Sequence, residues 1–152
     1  MKRIALFVLT VLTVAALILT VSPVSVKADK GAFPTGTYAT TITYDDIAKY
    51  GLPQIYHDIL EGDWEMVFGE DGNMAVTNRS TGQSGQGAYS WNQTVLIFGK
   101  DWGELDCYSP AYAVYKWSLS GNILTLTAAS ENSDRCWGRF IVNTSHPFVK
   151  AP

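Results

Sequence analysis

Reactive side chains are scarce in this chain. Its 152 residues include two histidines, His57 and His146, and two cysteines, Cys107 and Cys136. His57 falls on the polar side of a short helical pattern, and His146 sits in a terminal stretch before Pro147. Ser145 adjoins His146, but neighbours in an extended chain point apart, and no nucleophile motif surrounds them. Asp101, Glu104 and Asp106 share one loop without the alternating spacing of a calcium loop. The stretch "GQSGQG" is not a dinucleotide fingerprint, and no helix follows it to receive a phosphate. The expectation is a protein that is not an enzyme and that holds no metal and no cofactor.

Positive charge is scarce too, once the N-terminus is set aside. Met1-Lys2-Arg3 opens the chain, "IALFVLTVLTVAALILTV" follows, and "SPVSVKA" ends it with Val26 and Ala28 spaced for a signal peptidase. This reads as a signal peptide over residues 1–28, with a retained membrane anchor as the rival because the apolar run is long enough to span. Cleavage takes Lys2, Arg3 and Lys27 with it. Residues 29–152 then carry 8 basic against 14 acidic side chains, a formal charge of −6. An acidic surface disfavours nucleic acid and anionic lipid alike. The expected location is secreted or extracytoplasmic, with no stable membrane association after cleavage. In an oxidising compartment Cys107 and Cys136 are expected to pair, closing a loop of about 30 residues at roughly 3–4 kcal/mol; two buried thiols are the alternative.

Helical pattern is confined to one place. Residues 29–35 read as a loose leader, and "TGTYATTIT" then alternates as a first strand. The segment "TYDDIAKYGLPQIYHDILEGDW" reads as helix, break, helix. Thr43 and Asp46 fit a capping box, Gly51 a left-handed stop, and Pro53 the start of a second helix. Ile55, Tyr56, Ile59 and Leu60 fall on one face, with Gln54, His57, Asp58 and Glu61 opposite. Strands follow at "GDWEMVF", "MAVTN", "AYSW", "TVLIF", "AYAVYKWSL", "ILTLTAA" and "RCWGRFIVN", joined mostly by short turns such as Asp71-Gly72, a hairpin signal. Nothing after residue 61 reads as helix. Short turns make neighbours antiparallel, and closing eight strands removes exposed edges. The expected fold is all-β: an eight-stranded antiparallel up-and-down barrel with a short helical insert between strands one and two. A two-sheet sandwich is the alternative.

Aromatic side chains are plentiful. All five Trp and all eight Tyr lie beyond residue 28. Alternation sends Trp64, Met66, Tyr89, Trp91, Tyr115, Trp117 and Leu126 inward. Eight strands leave an interior that side chains fill or that holds one small molecule. These seven are the candidate ligand wall, apolar with a few hydrogen-bonding tips. Such a wall suits a small apolar molecule: a lipid, an aromatic compound or a pigment. Ile55, Ile59 and Leu60 are the candidate lid, with roughly 1.5–3 kcal/mol each from burial. A plug that completes the core is the competing role for the insert. Three glycosylation sequons are present, at Asn78, Asn92 and Asn143.

"GTY" opening the first strand, "GDWEMVFGEDGNMAV", and "YKWSLSGNILTLT" followed by "DRCWGR" together resemble a lipocalin-like β-barrel of the calycin superfamily. The likeness is to small secreted bacterial members and covers roughly residues 36–142. "YDDIAKYGLP" is similar to the helical lid of intracellular fatty-acid-binding proteins. The resemblance implies a G-x-W near the start with a late-strand arginine packed across it. Gly36-Thr37-Tyr38 stands in that place with Tyr for Trp, and Arg139 is the arginine, a contact of about 0.5–2 kcal/mol. Gly62-Asp63-Trp64 spells the same motif. Two functions are then expected: a carrier or sequestering protein for a small hydrophobic ligand, or a filled barrel that presents its loops to an extracellular partner. For the second, residues 99–110 with Trp102 and Tyr108 are the candidate contact.

Overall fold

A computed structural model describes residues 33–152 apart from 104, 106–111 and 132, with the backbone alone at 101 and 102. The segment expected as signal peptide lies outside the described residues, as do Cys107, Tyr108 and the Trp102 side chain.

Eight antiparallel strands close into one barrel in sequence order. They are β1 (Gly36–Ile42), β2 (Gly62–Phe68), β3 (Asn73–Asn78), β4 (Ser84–Trp91), β5 (Val95–Gly103), β6 (Ala113–Ser120), β7 (Ile123–Ala128) and β8 (Phe148–Lys150). Gly72 and Gly121 take φ of +82° and +60° in two of the hairpin turns, values that side chains with a Cβ rarely adopt. A register shift between Gly87 and Tyr89 bends β4. The insert between β1 and β2 is α1 (Tyr44–Ala48) and α2 (Gln54–Leu60), as expected. Thr43 and Asp46 form the capping box reciprocally, and Gly51 turns left-handed at φ +63°.

The eighth strand is not where the sequence pattern placed it. "RCWGRFIVN" forms a third helix, α3 (Trp137–Thr144), and β8 is the short run after Pro147. Trp137, Phe140, Ile141 and Thr144 recur at helical spacing, and Ile141, Val142 and Asn143 are buried. That period outweighs the strand-like composition of the segment. Only Phe148–Lys150 remains to close the barrel, pairing with Ile123 and Leu124 of β7 and with Tyr38 and Ala39 of β1.

The first lipocalin-like packing expectation changes as a result. Arg139 rides on α3 and pairs with Asp134, Nε to Oδ2 at 2.8 Å. The cation over Tyr38 is Lys150, with Nζ 5.9 Å from the ring centroid. Nor is the leader loose throughout. Phe33 is 4 % exposed and touches the rings of Phe68, Tyr89, Trp91 and Trp117 at centroid distances of 5.0–5.8 Å.

The barrel therefore has two differently built ends. At the Gly36 end, Phe33 plugs a lattice of rings. At the Ile42 end sit the three helices of the described residues: Gly138 of α3 abuts Leu60 of α2, and the rings of Tyr50, Trp137 and Phe140 touch one another.

Candidate functional site

The insert covers its end with a different face from the one expected. Ile55 is 58 % exposed, Ile59 is half-buried and Leu60 is buried. His57, expected outward, is buried and stacks on Tyr44 at 4.2 Å between centroids. Ile47 of α1, fully buried, supplies the apolar contact that Ile55 does not. The cause is hydrogen bonding at the C-terminal end of α2. The Trp64 indole N–H donates to the Leu60 carbonyl at 2.8 Å. The Asn78 amide donates to the carbonyls of Ile59 and Glu61 at 2.9 and 3.2 Å. These bonds satisfy carbonyls that a helix end leaves open, and they fix the roll of α2 on the barrel rim.

The seven inward residues divide between the two ends. Tyr89, Trp91 and Trp117 belong to the ring lattice of the Gly36 end; Tyr89 and Trp91 stack at 5.3 Å. Their polar tips are engaged within the protein: the Tyr89 hydroxyl donates to the Gly69 carbonyl at 2.7 Å, and the Trp117 indole to the Asn92 carbonyl at 3.0 Å. Burial, with Asp71 nearby, pushes the Tyr89 phenol up to about 12. Met66 and Leu126 are buried in the same core. Trp64 and Tyr115 lie toward the helical end of the same core, and Tyr115 joins the ring lattice through Phe98, 5.5 Å between centroids, which in turn meets Phe68 at 6.3 Å.

Tyr115 leads into a buried polar cluster that the sequence did not disclose. Its hydroxyl donates to Asp134 Oδ2. The Asp134 carboxylate, with no side-chain exposure, also accepts from the Cys136 N–H at 2.8 Å and from Arg139 Nε and Nη2 at 2.8 and 3.0 Å. A buried carboxylate held by a forked guanidinium and further donors is adequately compensated. Burial, then the Asp134 charge, pushes the Tyr115 phenol well above its usual range, so the phenol stays protonated and donates. Asn143 lies beside it, 1 % exposed. Its amide is near enough to Tyr115 to oppose that upward push, yet neither amide atom makes a hydrogen bond of good geometry.

The remaining buried polar atoms without partners among the described residues are Thr40 Oγ1, His57 Nδ1, Ser133 Oγ and Ser145 Oγ. All belong to the helical half of the molecule. The exposed aromatics among the described residues gather there as well: Tyr44, Tyr112 and Trp137.

A second feature lies outside the barrel wall, where β8 ends short of the top of β1. A groove of about 520 Å³ is lined there by Ala39, Thr41, Asp63, His146, Pro147 and Val149, among others. His146 Nε2 lies 2.8 Å from Asp46 Oδ2, and Lys49 Nζ lies 3.5 Å from Asp46 Oδ1. Burial alone would raise the Asp46 carboxyl. Bonds from the Thr43 hydroxyl and N–H and from His146 outweigh it and hold the group at about 2. His146 thus ties the α3–β8 connection to the cap of α1, a pairing of residues 100 apart in sequence. No group of three metal-ligating side chains occurs among the described residues. Of the sequons, Asn78 and Asn143 are buried and Asn92 is exposed.

No protein-family model, curated protein or solved structure matches the chain. The class that the fold defines is a closed eight-stranded antiparallel β-barrel, compatible with a lipocalin-like architecture.

Proposed function

We propose that the protein is a secreted carrier or sequestering protein that binds one small, mostly apolar molecule at the helix-capped end of its barrel and acts without turnover. The supporting observation is the asymmetry of the interior. One end is packed ring against ring with its polar tips engaged, while the partnerless buried polar side-chain atoms of the described residues fall in the helical half, whose insert is two helices of five and seven residues. Helices that short depend on tertiary contacts, so a cover built from them opens at low cost. Trp64, Met66, Tyr115 and Leu126 are the wall of this site; Tyr89, Trp91 and Trp117 become its floor and support. The acidic exported surface keeps nucleic acid and membrane out of the list of partners. A Cys107–Cys136 bridge, with Cys136 at the N-cap of α3, would fasten that helix to the long loop. Thiol labelling of unfolded, unreduced protein should find no free sulfhydryl.

The test is a titration of the mature protein, read by tryptophan fluorescence, with long-chain fatty acyl compounds, retinoids and indoles. A saturable response that shifts Trp64 emission is expected. A flat response to all of them overturns the carrier reading.

A second reading has its own observation. Tyr112, Ile55 and Trp137 are 74 %, 58 % and 49 % exposed in the helical half. Exposed side chains of this size, three of them aromatic with Tyr44, favour a filled barrel that presents this surface to an extracellular partner. The flat titration is the outcome that selects it.

A further inference from the structure

The groove outside the barrel wall opens where the closure of the barrel runs out. β8 pairs with β1 at Tyr38 and Ala39, while Thr40, Thr41 and Ile42 carry β1 beyond it. In an antiparallel ladder successive residues aim their N–H and C=O alternately at the two neighbouring strands. The Ala151 N–H donates to the Thr37 carbonyl at 2.9 Å, which turns Thr37 toward β8 and, two residues at a time, Ala39 and Thr41 as well. β2 agrees. The Arg79 N–H donates to the Asp63 carbonyl, so Asp63, the register partner of Thr41, faces β3. The main-chain N–H and C=O of Thr41 therefore point into the seam, and among the described residues no hydrogen bond from a turn or loop claims them. The residue that the register would bring opposite is Pro147, which has no N–H to donate. What lies there instead is the groove of about 520 Å³, with Thr41, Asp63, His146, Pro147 and Val149 in its walls.

The chemistry of those walls selects an occupant. An open main-chain donor and acceptor on a strand edge is what an extended peptide pairs with. The volume is that of a drug-sized site, enough for a short stretch of chain and not for a whole strand. Charge then narrows the choice. The Asp63 carboxylate accepts from the Thr41 hydroxyl at 2.8 Å, which holds it against β1. It makes no ion pair among the described residues, whereas Arg79 is engaged with Glu65 and Lys49 with Asp46. Thr41 and Asp63 are both exposed on the outer face. A residue added opposite Thr41 would lie two strand spacings from Asp63, about 10 Å between Cα atoms. A long basic side chain spans that gap, a short one does not, and an acidic one is repelled. We propose that this groove receives an extended segment of a partner protein, whose main chain adds one rung to β1 at Thr41 and whose Lys or Arg reaches Asp63. The site is separate from the interior on which the carrier reading rests, and the two stand or fall independently.

The experiment titrates the isotope-labelled mature protein with three blocked tripeptides, followed residue by residue through the amide NMR signals. The probes are acetyl-Val-Lys-Val-amide, acetyl-Val-Glu-Val-amide, and the first of these with a methyl group on its lysine main-chain nitrogen. The lysine peptide should shift the Thr41 amide and saturate, binding about tenfold more tightly than either of the others. Asp63→Asn, at an exposed position, should bring the lysine and glutamate peptides within about threefold and leave the penalty for N-methylation in place. Equal affinity for those two peptides in the wild-type protein overturns the assignment. So does a tenfold preference that persists in Asp63→Asn, because the acidity of the whole surface then accounts for it. Saturation without a shift at Thr41, or no binding by any of the three, overturns it as well. Dimerisation of the protein that the lysine peptide competes away gives the groove to a second copy of this chain and overturns the partner assignment.

Discussion

The Gly36 end and the helical end of this barrel are built from similar sequence and behave as opposites. At the first, Phe33, Phe68, Tyr89, Trp91 and Trp117 interlock by edge and face, and the tips of Tyr89 and Trp117 reach backbone carbonyls close by. Everything buried there is satisfied among the described residues. At the second, Trp64 and Asn78 pin the insert, Arg139 and Asp134 make a saturated ion pair, and yet five residues keep partnerless polar atoms. A fold with no use for that end would be more stable with hydrocarbon in those places. The difference teaches where stability was selected and where something else was.

The largest effect expected on breaking either end comes from the ion pair. Asp134→Ala removes the buried carboxylate shared by the Arg139 guanidinium, 7 % exposed, the Tyr115 hydroxyl and the Cys136 N–H, at a cost of about 3–5 kcal/mol in urea unfolding. Replacing both partners by apolar residues of similar volume should recover most of that loss, because the desolvation penalty goes with the charges. Phe68→Ala does comparable damage at the opposite end, about 4 kcal/mol. It removes a ring that touches Phe33, Tyr38, Tyr89 and Phe98. Asn143→Leu sharpens the contrast from the other side. Trading a partnerless buried amide for an apolar side chain of near-equal size should leave stability unchanged or raise it by about 1 kcal/mol, a sign that no substitution in the ring lattice should show.

The strand order, the closure and the insert were legible because period-two alternation and hairpin signals such as Asp71-Gly72 are local properties. The eighth strand was not. In "RCWGRFIVN" the β-branched and aromatic residues speak for a strand, while the spacing of Trp137, Phe140 and Ile141 speaks for a helix. Eight residues are too few for period alone to decide. What decides is the packing of Ile141 and Val142 into the core. The roll of α2 was illegible for a related reason. His57 and Ile55 exchange places relative to the amphipathic pattern because Trp64 and Asn78 grip the helix C-terminus, and those donors come from other strands. Asp134, in a turn between Ser133 and Arg135, looked like any surface carboxylate. Its burial exists only because α3 swings Arg139 back over it.

Smaller effects are expected at the strap outside the helical end. Thr43→Ala removes a capping box and should cost about 1 kcal/mol, read as a lower unfolding midpoint. Smaller still is the acid dependence of Asp46. Its folded carboxyl sits at about 2 against an ordinary 3.8, so the proton is bound more weakly in the folded state than in the unfolded one. Stability from this group is therefore complete above the unfolded value and drains away as pH falls from about 4 toward 2. The effect is modest because the side chains beside it, Lys49 and His146, are 47 % and 46 % exposed and screened by water. Urea unfolding followed from about pH 5 down to about pH 2.5 should fall more steeply in the wild-type protein than in Asp46→Asn, which has no proton to bind there. High salt should flatten part of the difference. Parallel slopes in the two proteins would mean that the link between His146 and the cap of α1 contributes nothing to holding the insert in place, and that Trp64 and Asn78 hold it alone.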